Sequence, residues 1–266
     1  MKHASRKVIH RSHWNNHLIE VIDSGDERSL YFAGNVLQSG MSLYAPHALV
    51  LSYTQYMMAT LLMNDVPQRI LVVGIGAGSL IRFLHHHFPE ALIDGIDSSQ
   101  PVIDLAKEFF NLPENSCVKI HCGDGQDFLT NRTTEYNYDL ILIDAFDALG
   151  MSETIYHSGF IELCLHHLNI SGIMSLNLWS GDDQRMERVI GDVSAHCESF
   201  VQLPVPNRGN VICLAGRGQI LSTIMDQDSI HLAQLKARFG INFKAILNVC
   251  RKHNMGLFQR ISRLFS

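Results

Sequence analysis

The residues best placed to do chemistry begin at Gly74-Ile-Gly76-Ala-Gly78, directly after the apolar run Arg69-Ile-Leu-Val-Val73. Closely spaced glycines after a strand let the backbone turn tightly and let a ligand lie against it. The helix that follows adds free N–H groups at its start. The third glycine of a GxGxxG fingerprint is absent, since Ser79 and Leu80 follow Gly78. That spacing favours a nucleoside with a methionine-type tail over a dinucleotide. Asp97 closes the next apolar run, where a carboxylate can accept both ribose hydroxyls. Asp94 in the same run is its rival, and a plain helix cap is the alternative use of either. Gly123-Asp124-Gly125 is either an Asp-Gly turn or a place where Asp124 accepts from an adenine amino group while Gly125 permits close approach. Asp144-Ala-Phe-Asp147 follows a fourth apolar run. Two carboxylates there would form an acidic rim able to hold a cationic amine and take its proton; a loop cap plus one solvated Asp is the simpler account.

These residues need elements to carry them. Strands are expected at 69–73, 91–97, 117–121, 138–144 and 172–178, with helices between them at about 79–88, 100–110 and 158–168. Strand–helix alternation of this kind implies an open parallel sheet with helices on both faces. A helix over 182–197 and a late strand over 211–215 follow. Ahead of the sheet, runs at 17–23 and 29–33 flank the turn residues Ser24-Gly25-Asp26-Glu27 and predict a short β-hairpin. Residues 46–63 carry helical spacing. The expected division is a β-element over 1–45, a nucleoside-binding catalytic domain over 46–220 and a helical extension over 221–266.

Composition excludes several classes. The 266 residues are 46% hydrophobic and 18% charged, enough for a full core and too little charge for disorder. A net charge of −5 argues against general nucleic-acid binding, which depends on neutralising phosphates. No apolar run spans a bilayer, no secretory signal is expected, and the six cysteines form no CxxC pair, so a cytoplasmic location is expected. No metal is expected. His85, His86 and His87 are adjacent and point about 100° apart on a helix, so they cannot converge, and they read as a solvated helix end. His10, His13 and His17 lie in irregular-to-strand sequence. Basic and apolar residues interleave from Arg251 to Phe265, with Leu257, Ile261 and Leu264 on one helical face; packing on this chain or a second copy is the commoner use of such a face, and a membrane-surface or partner helix is the alternative.

Seven segments together resemble the polyamine aminopropyltransferases, the spermidine/spermine synthases, and their bacterial spermidine-synthase-like members in particular. They are Arg28-Ser-Leu-Tyr-Phe32, Gln38-Ser-Gly-Met41, Tyr53-Thr-Gln-Tyr-Met-Met58, the stretch from Arg69 to Leu80, Gly123-Asp-Gly125, Asp144-Ala-Phe-Asp147 and Asn177-Leu-Trp179. The resemblance implies a Rossmann-like class I S-adenosylmethionine-dependent methyltransferase fold. It implies transfer of the aminopropyl group of decarboxylated S-adenosylmethionine to an amine such as putrescine, releasing methylthioadenosine, and it implies a homodimer. It places Gln38 and Tyr53 near the cofactor or amine and Asp124 on adenine. It makes Asp144 the base and Asp147 the anchor of the far ammonium. The chain departs from the family at four places. Ala77 stands where the glycine loop carries an acid, Gly95 stands at the ribose-binding Glu, Val205-Pro206 replaces a Tyr-Pro pair, and the Tyr-x-Glu segment of the amine site is not intact, with Gln55 near its acidic position. Ala77 motivates a second reading, a methyltransferase using intact S-adenosylmethionine. The missing amine contacts motivate a third, a non-catalytic nucleoside- or polyamine-binding relative.

Overall fold

The computed structural model describes residues 6–14, 17–32, 36–132, 137–147, 150–157 and 159–262. Among these, the side chains of residues 147, 150, 154, 156 and 255–262 fall outside the description. The expected apolar face of Leu257, Ile261 and Leu264, and the far-ammonium contact of Asp147, therefore lie beyond it.

The N-terminal region is a four-stranded antiparallel sheet, larger than the expected hairpin. It comprises β1 (Arg6–Trp14), β2 (His17–Ser24), β3 (Glu27–Phe32) and β4 (Val36–Ser42), paired in chain order. His10, His13 and His17 are strand residues in it. A bulge interrupts the β3–β4 ladder: Leu30 opposes Ser39 and Tyr31 opposes Leu37, which leaves Gln38 as the extra residue. Bulges re-aim a side chain out of the ladder. Residues 46–51 are not helical. A helix α1 runs only over Ser52–Met57 and tightens into a 3-10 turn over Met58–Leu62.

The main sheet has seven strands. Chain order supplies β5 (Arg69–Val73), α2 (Ser79–His87), β6 (Leu92–Asp97), α3 (Gln100–Phe109), β7 (Val118–Cys122), α4 (Gly125–Thr130) and β8 (Tyr138–Ile143). A two-residue ladder, β9 (Phe146–Asp147) with β10 (Gly150–Met151), follows. Then come α5 (Phe160–His166), β11 (Leu168–Trp179), α6 (Asp183–His196), β12 (Ser199–Pro204) and β13 (Asn210–Gly216). The chain ends in α7 (Ile220–Met225), α8 (Ser229–Phe239) and α9 (Phe243–Ser262). The spatial order is β12-β13-β11-β8-β5-β6-β7. Strands β11, β8, β5, β6 and β7 are parallel, as expected, and β13 is antiparallel to both neighbours. The sheet is mixed because β12 and β13 are joined by a short turn, which returns the chain antiparallel. β12 had no counterpart among the expected strands.

Alternation along the central strands builds two cores. Ile70, Val72, Leu140 and Leu142 face one layer, which also holds Leu80 and Leu84 of α2 and Leu221, Leu235, Phe243 and Leu247 of the last three helices. Leu71, Val73, Ile141 and Ile143 face the other, with Phe160 and Cys164 of α5 and Val189 and Val193 of α6. The helices beyond residue 220 thus share the core of the sheet. The N-terminal sheet docks through Ile19, Val21, Leu30 and Met41 onto Val102 and Leu105 of α3. Among the described residues, no helix is long and apolar enough to cross a membrane. This is the Rossmann-like class I methyltransferase fold, with an antiparallel β-element ahead of it.

Candidate active site

A cavity of about 480 Å³ opens beyond the carboxyl ends of β5, β6, β8 and β11 and is walled by the N-terminal sheet. Gln38, Tyr53, Gly74, Gly76, Asp97 and Asp144 all line it. Sequence positions more than a hundred residues apart thereby meet in one space.

Gly74 has φ +87, and a Cβ built there would sit 2.2 Å from the carbonyl oxygen of Asp144. Only glycine allows the loop after β5 to cross the end of β8 this closely. Gly76, at φ +52, turns its missing side chain toward the cavity, where the nearest atom is Ser39 Cβ at 3.8 Å. Gly78 also has positive φ, but it packs against Leu112 and lies outside the lining. Its role is to let the chain enter α2. A residue that sequence reasoning missed fixes the same loop. Arg82, buried, donates from Nε to the carbonyl of Pro46 (2.8 Å) and from Nη1 to those of Phe110 (2.8 Å) and Ala77. Burial lowers its pKa to about 10.

Asp97 and Asp94 separate cleanly. Asp97 reaches the cavity and accepts backbone N–H groups from Ile75 (2.9 Å), Gly76 (3.3 Å) and Ser99 (2.9 Å). Burial raises its pKa, against those three amides. Asp94 is three residues earlier, on the opposite face of β6. There it is already occupied by Tyr138 Oη (2.9 Å), Arg132 (2.8 Å) and His121 (3.2 Å). Gly95 shares the face of Asp97, and a Cβ there would lie 2.6 Å from Ile81, so the core has closed over the position of the family's glutamate.

Asp124 and Gly125 are not among the lining residues. Asp124 is the N-cap of α4, its Oδ1 accepting from Gln126 N (2.7 Å) and Asp127 N (3.1 Å). Gly125 is pressed against Val73. The turn is tied to the end of β6, where Gly123 N–H donates to the carbonyl of Asp97 at 2.9 Å.

Asp144 lines the cavity and is held by two side chains. Its Oδ1 accepts from Asn177 Nδ2 at 2.8 Å and its Oδ2 from Tyr53 Oη at 3.2 Å. Asn177 Oδ1 in turn accepts from Asn210 Nδ2 at 2.9 Å. Asn177 interrupts the apolar run of β11 and belongs to the segment Asn177-Leu-Trp179 that carries the resemblance, whereas Asn210 gave no sequence signal. Burial lifts the Asp144 pKa to about 6, opposed by the Asn177 and Tyr53 hydrogen bonds and aided by the negative charge of Asp97. Burial also raises Tyr53 well above the ordinary tyrosine value, followed by the effect of the Asp144 charge, so Tyr53 stays a donor. A carboxylate half-protonated near pH 6 and aimed into a cavity is suited to accept a proton.

Among the described residues, no group of three or more His, Cys, Asp or Glu side chains could hold a metal. The α2 histidines are solvated in part: His86 is exposed, while His85 and His87 are half-buried. The His86 ring stacks on His47 with centroids 3.7 Å apart. His87 packs between Phe83 and Phe239, and burial lowers its pKa to about 4.

Comparison with known proteins bears on the family and the fold. The chain is 32% identical over 237 residues to a polyamine aminopropyltransferase from Chromobacterium violaceum, covering 89% of this chain and 90% of that one. A solved spermidine synthase in complex with the transition-state analogue AdoDATO superposes with a TM-score of 0.71 at 16% identity, over 94% of this chain and 89% of that one. Human methyltransferase-like protein 13 in complex with SAH superposes with a TM-score of 0.61 at 23% identity, over 73% and 93%. At those identities the two structures establish the fold alone. The family model for the spermine/spermidine synthase domain matches residues 50–232, so the chain belongs to the spermine/spermidine synthase family.

Proposed function

We propose that this protein is an aminopropyltransferase that uses decarboxylated S-adenosylmethionine and a small amine. The observation that carries the reading is Asp144, a carboxylate with a raised pKa at the junction of the glycine loop and the cavity. The nucleoside lies along Gly74 and Gly76, with its ribose at Asp97 and its base toward the turn 123–125. The acceptor amine lies by Asp144, Tyr53 and Gln38. An ammonium is no nucleophile, because its lone pair holds a proton. Asp144 accepts that proton, the freed lone pair attacks the methylene carbon next to sulfur, and the C–S bond breaks. The electron pair goes to sulfur, so the sulfonium leaves as a neutral thioether. Tyr53 and Asn177 hold the carboxylate in line.

The reading is tested by amine-dependent release of methylthioadenosine from decarboxylated S-adenosylmethionine. Its pH dependence has a definite sign. Below pH about 6 Asp144 carries a proton and cannot accept another. The expected kcat/KM therefore rises with pH through an inflection near 6, and Asp144→Asn removes that inflection. A flat profile in the wild type over pH 5–8 contradicts the assignment.

One observation favours a second reading. Ala77 is fully buried in the glycine loop and offers no partner to an aminopropyl ammonium. A methyltransferase of intact S-adenosylmethionine would not need one. Tighter binding of the intact than of the decarboxylated molecule would select that reading.

A further inference from the structure

The order of strands across the sheet lays the cavity out as a line. Asp97 ends β6, the glycine loop follows β5, and Asp144 follows β8. Asn177 and Trp179 end β11, and Arg208 sits on the turn between β12 and β13. The nucleoside contacts and Arg208 thus lie on opposite sides of Asp144. Arg208 is the single cationic side chain among the described lining residues, against two acids, Asp97 and Asp144. The residue is exposed, its guanidinium has no hydrogen bond or ion pair with a described residue, and it acts electrostatically on Tyr53.

The turn that carries Arg208 is held firmly. Arg208 N–H donates to the carbonyl of Val205 (3.1 Å), and Ser180 N–H donates to that of Gly209 (2.8 Å). Asn207 adopts φ 59. The Trp179 indole packs so closely on Gly209 and Gly181 that a Cβ would come within 2.8 Å and 2.3 Å of it. A guanidinium on a fixed turn, facing a cavity that otherwise invites ammonium groups, is a poor neighbour for a plain diamine. It is a good partner for a carboxylate, which it can take in two parallel hydrogen bonds.

We propose that Arg208 is a specificity-determining residue that binds a carboxylate on the acceptor, so that the preferred acceptor is an amine bearing a carboxylate, of the diamino-acid class. This rests on the aminopropyl-transfer reading. The reaction is unchanged: the acceptor nitrogen loses a proton to Asp144 and gains the aminopropyl carbon, while sulfur leaves with the C–S pair. The carboxylate at Arg208 takes no part in bond making and orients the amine toward Asp144. Donor and acceptor could each supply a carboxylate. The position of Arg208 beyond Asp144, away from the glycine loop, assigns it to the acceptor.

The test uses the full-length protein and a matched pair of acceptors, ornithine and putrescine, which differ by one carboxylate. Each is paired with intact and with decarboxylated S-adenosylmethionine, and methylthioadenosine release is followed. With the decarboxylated donor, the wild type is expected to favour ornithine in kcat/KM by about tenfold or more, the scale of one charge-assisted hydrogen-bonded contact. Arg208→Glu should reverse the preference and Arg208→Gln should abolish it. The affinity of each variant for methylthioadenosine reports that the fold is intact. A preference for putrescine in the wild type, or a ratio unmoved by either variant, overturns the proposal. An Arg208 effect that follows the donor's carboxylate overturns its assignment to the acceptor. If no acceptor releases methylthioadenosine, the transfer reading fails. Calorimetric titration of the two acceptors into protein saturated with methylthioadenosine then still decides the proposal: ornithine binding that weakens in Arg208→Glu supports it, and equal binding of the two overturns it.

Discussion

Asp144→Asn is expected to lower kcat by about 10²- to 10⁴-fold, the contribution of a positioned general base, while affinity for methylthioadenosine stays within a few-fold of wild type. The asparagine keeps the shape and still accepts from Asn177, but it cannot take a proton. The same variant carries a stability signature of opposite sign. The folded-state pKa of Asp144 is raised from 3.8 to about 6, so the native state holds the proton more tightly than the unfolded chain. The stability this group contributes is complete below pH about 4 and is lost as pH rises through 6. Above pH 7 the buried charge costs roughly 3 kcal/mol, by the equivalence of one pKa unit to 1.36 kcal/mol. Asp144→Asn should therefore raise the melting temperature at pH 8 by several degrees, and the gain over wild type should shrink toward pH 4. Full turnover in the variant would remove Asp144 as the base. A stability gain independent of pH would contradict the buried charge.

Gly74→Ala is the second substitution with a large expected effect. The added Cβ meets the Asp144 carbonyl oxygen at 2.2 Å and its carbonyl carbon at 2.6 Å, both backbone atoms that have no rotamer to yield. Left-handed φ adds roughly 1–2 kcal/mol for an alanine, and overpacking adds about 1–3 kcal/mol. The expected outcome in a denaturant titration is a loss of roughly 2–5 kcal/mol. Whatever protein remains folded should have lost most of its nucleoside affinity, because the loop and Asp144 must part. Gly191→Ala is the contrast. Gly191 is exposed in the middle of α6 with no atom near its added Cβ, and the alanine should stabilise by about 0.5–1 kcal/mol. Equal behaviour of the two variants would mean that the loop is not held against β8 as described.

The sequence reveals the elements whose signals are local. Strands β5, β6 and β8 are short apolar runs buried on both faces, and the glycines after β5 announce the loop. The acids after β6 and β8 are legible because ligands of such sheets gather at strand ends. The choice between Asp97 and Asp94 was not legible. Three residues apart on a strand they face opposite sides, and only the packing of Tyr138 and Arg132 on one side decides which faces the cavity. The N-terminal sheet was half visible, because β1 is largely polar and the Gln38 bulge breaks the alternation of β4. The Asp144–Asn177–Asn210 chain and Arg208 were hidden for a deeper reason. They come together through the β11–β13 pairing and the β12–β13 turn, and no local pattern in β12, with its polar residues and terminal proline, marks that hairpin. His87 was misplaced in solvent because its packing partner Phe239 is remote in sequence.

The central claim is that this cavity moves an aminopropyl group to an amine with Asp144 as the base. The most direct measurement is a single-turnover assay of excess enzyme with decarboxylated S-adenosylmethionine, with and without an amine acceptor, quantifying methylthioadenosine and the aminopropylated product together. The account predicts that both appear in equal amounts, only with the amine present, and that both vanish in Asp144→Asn. Methylthioadenosine formed without amine, or a cavity that ignores the decarboxylated molecule and demethylates the intact one, would contradict it.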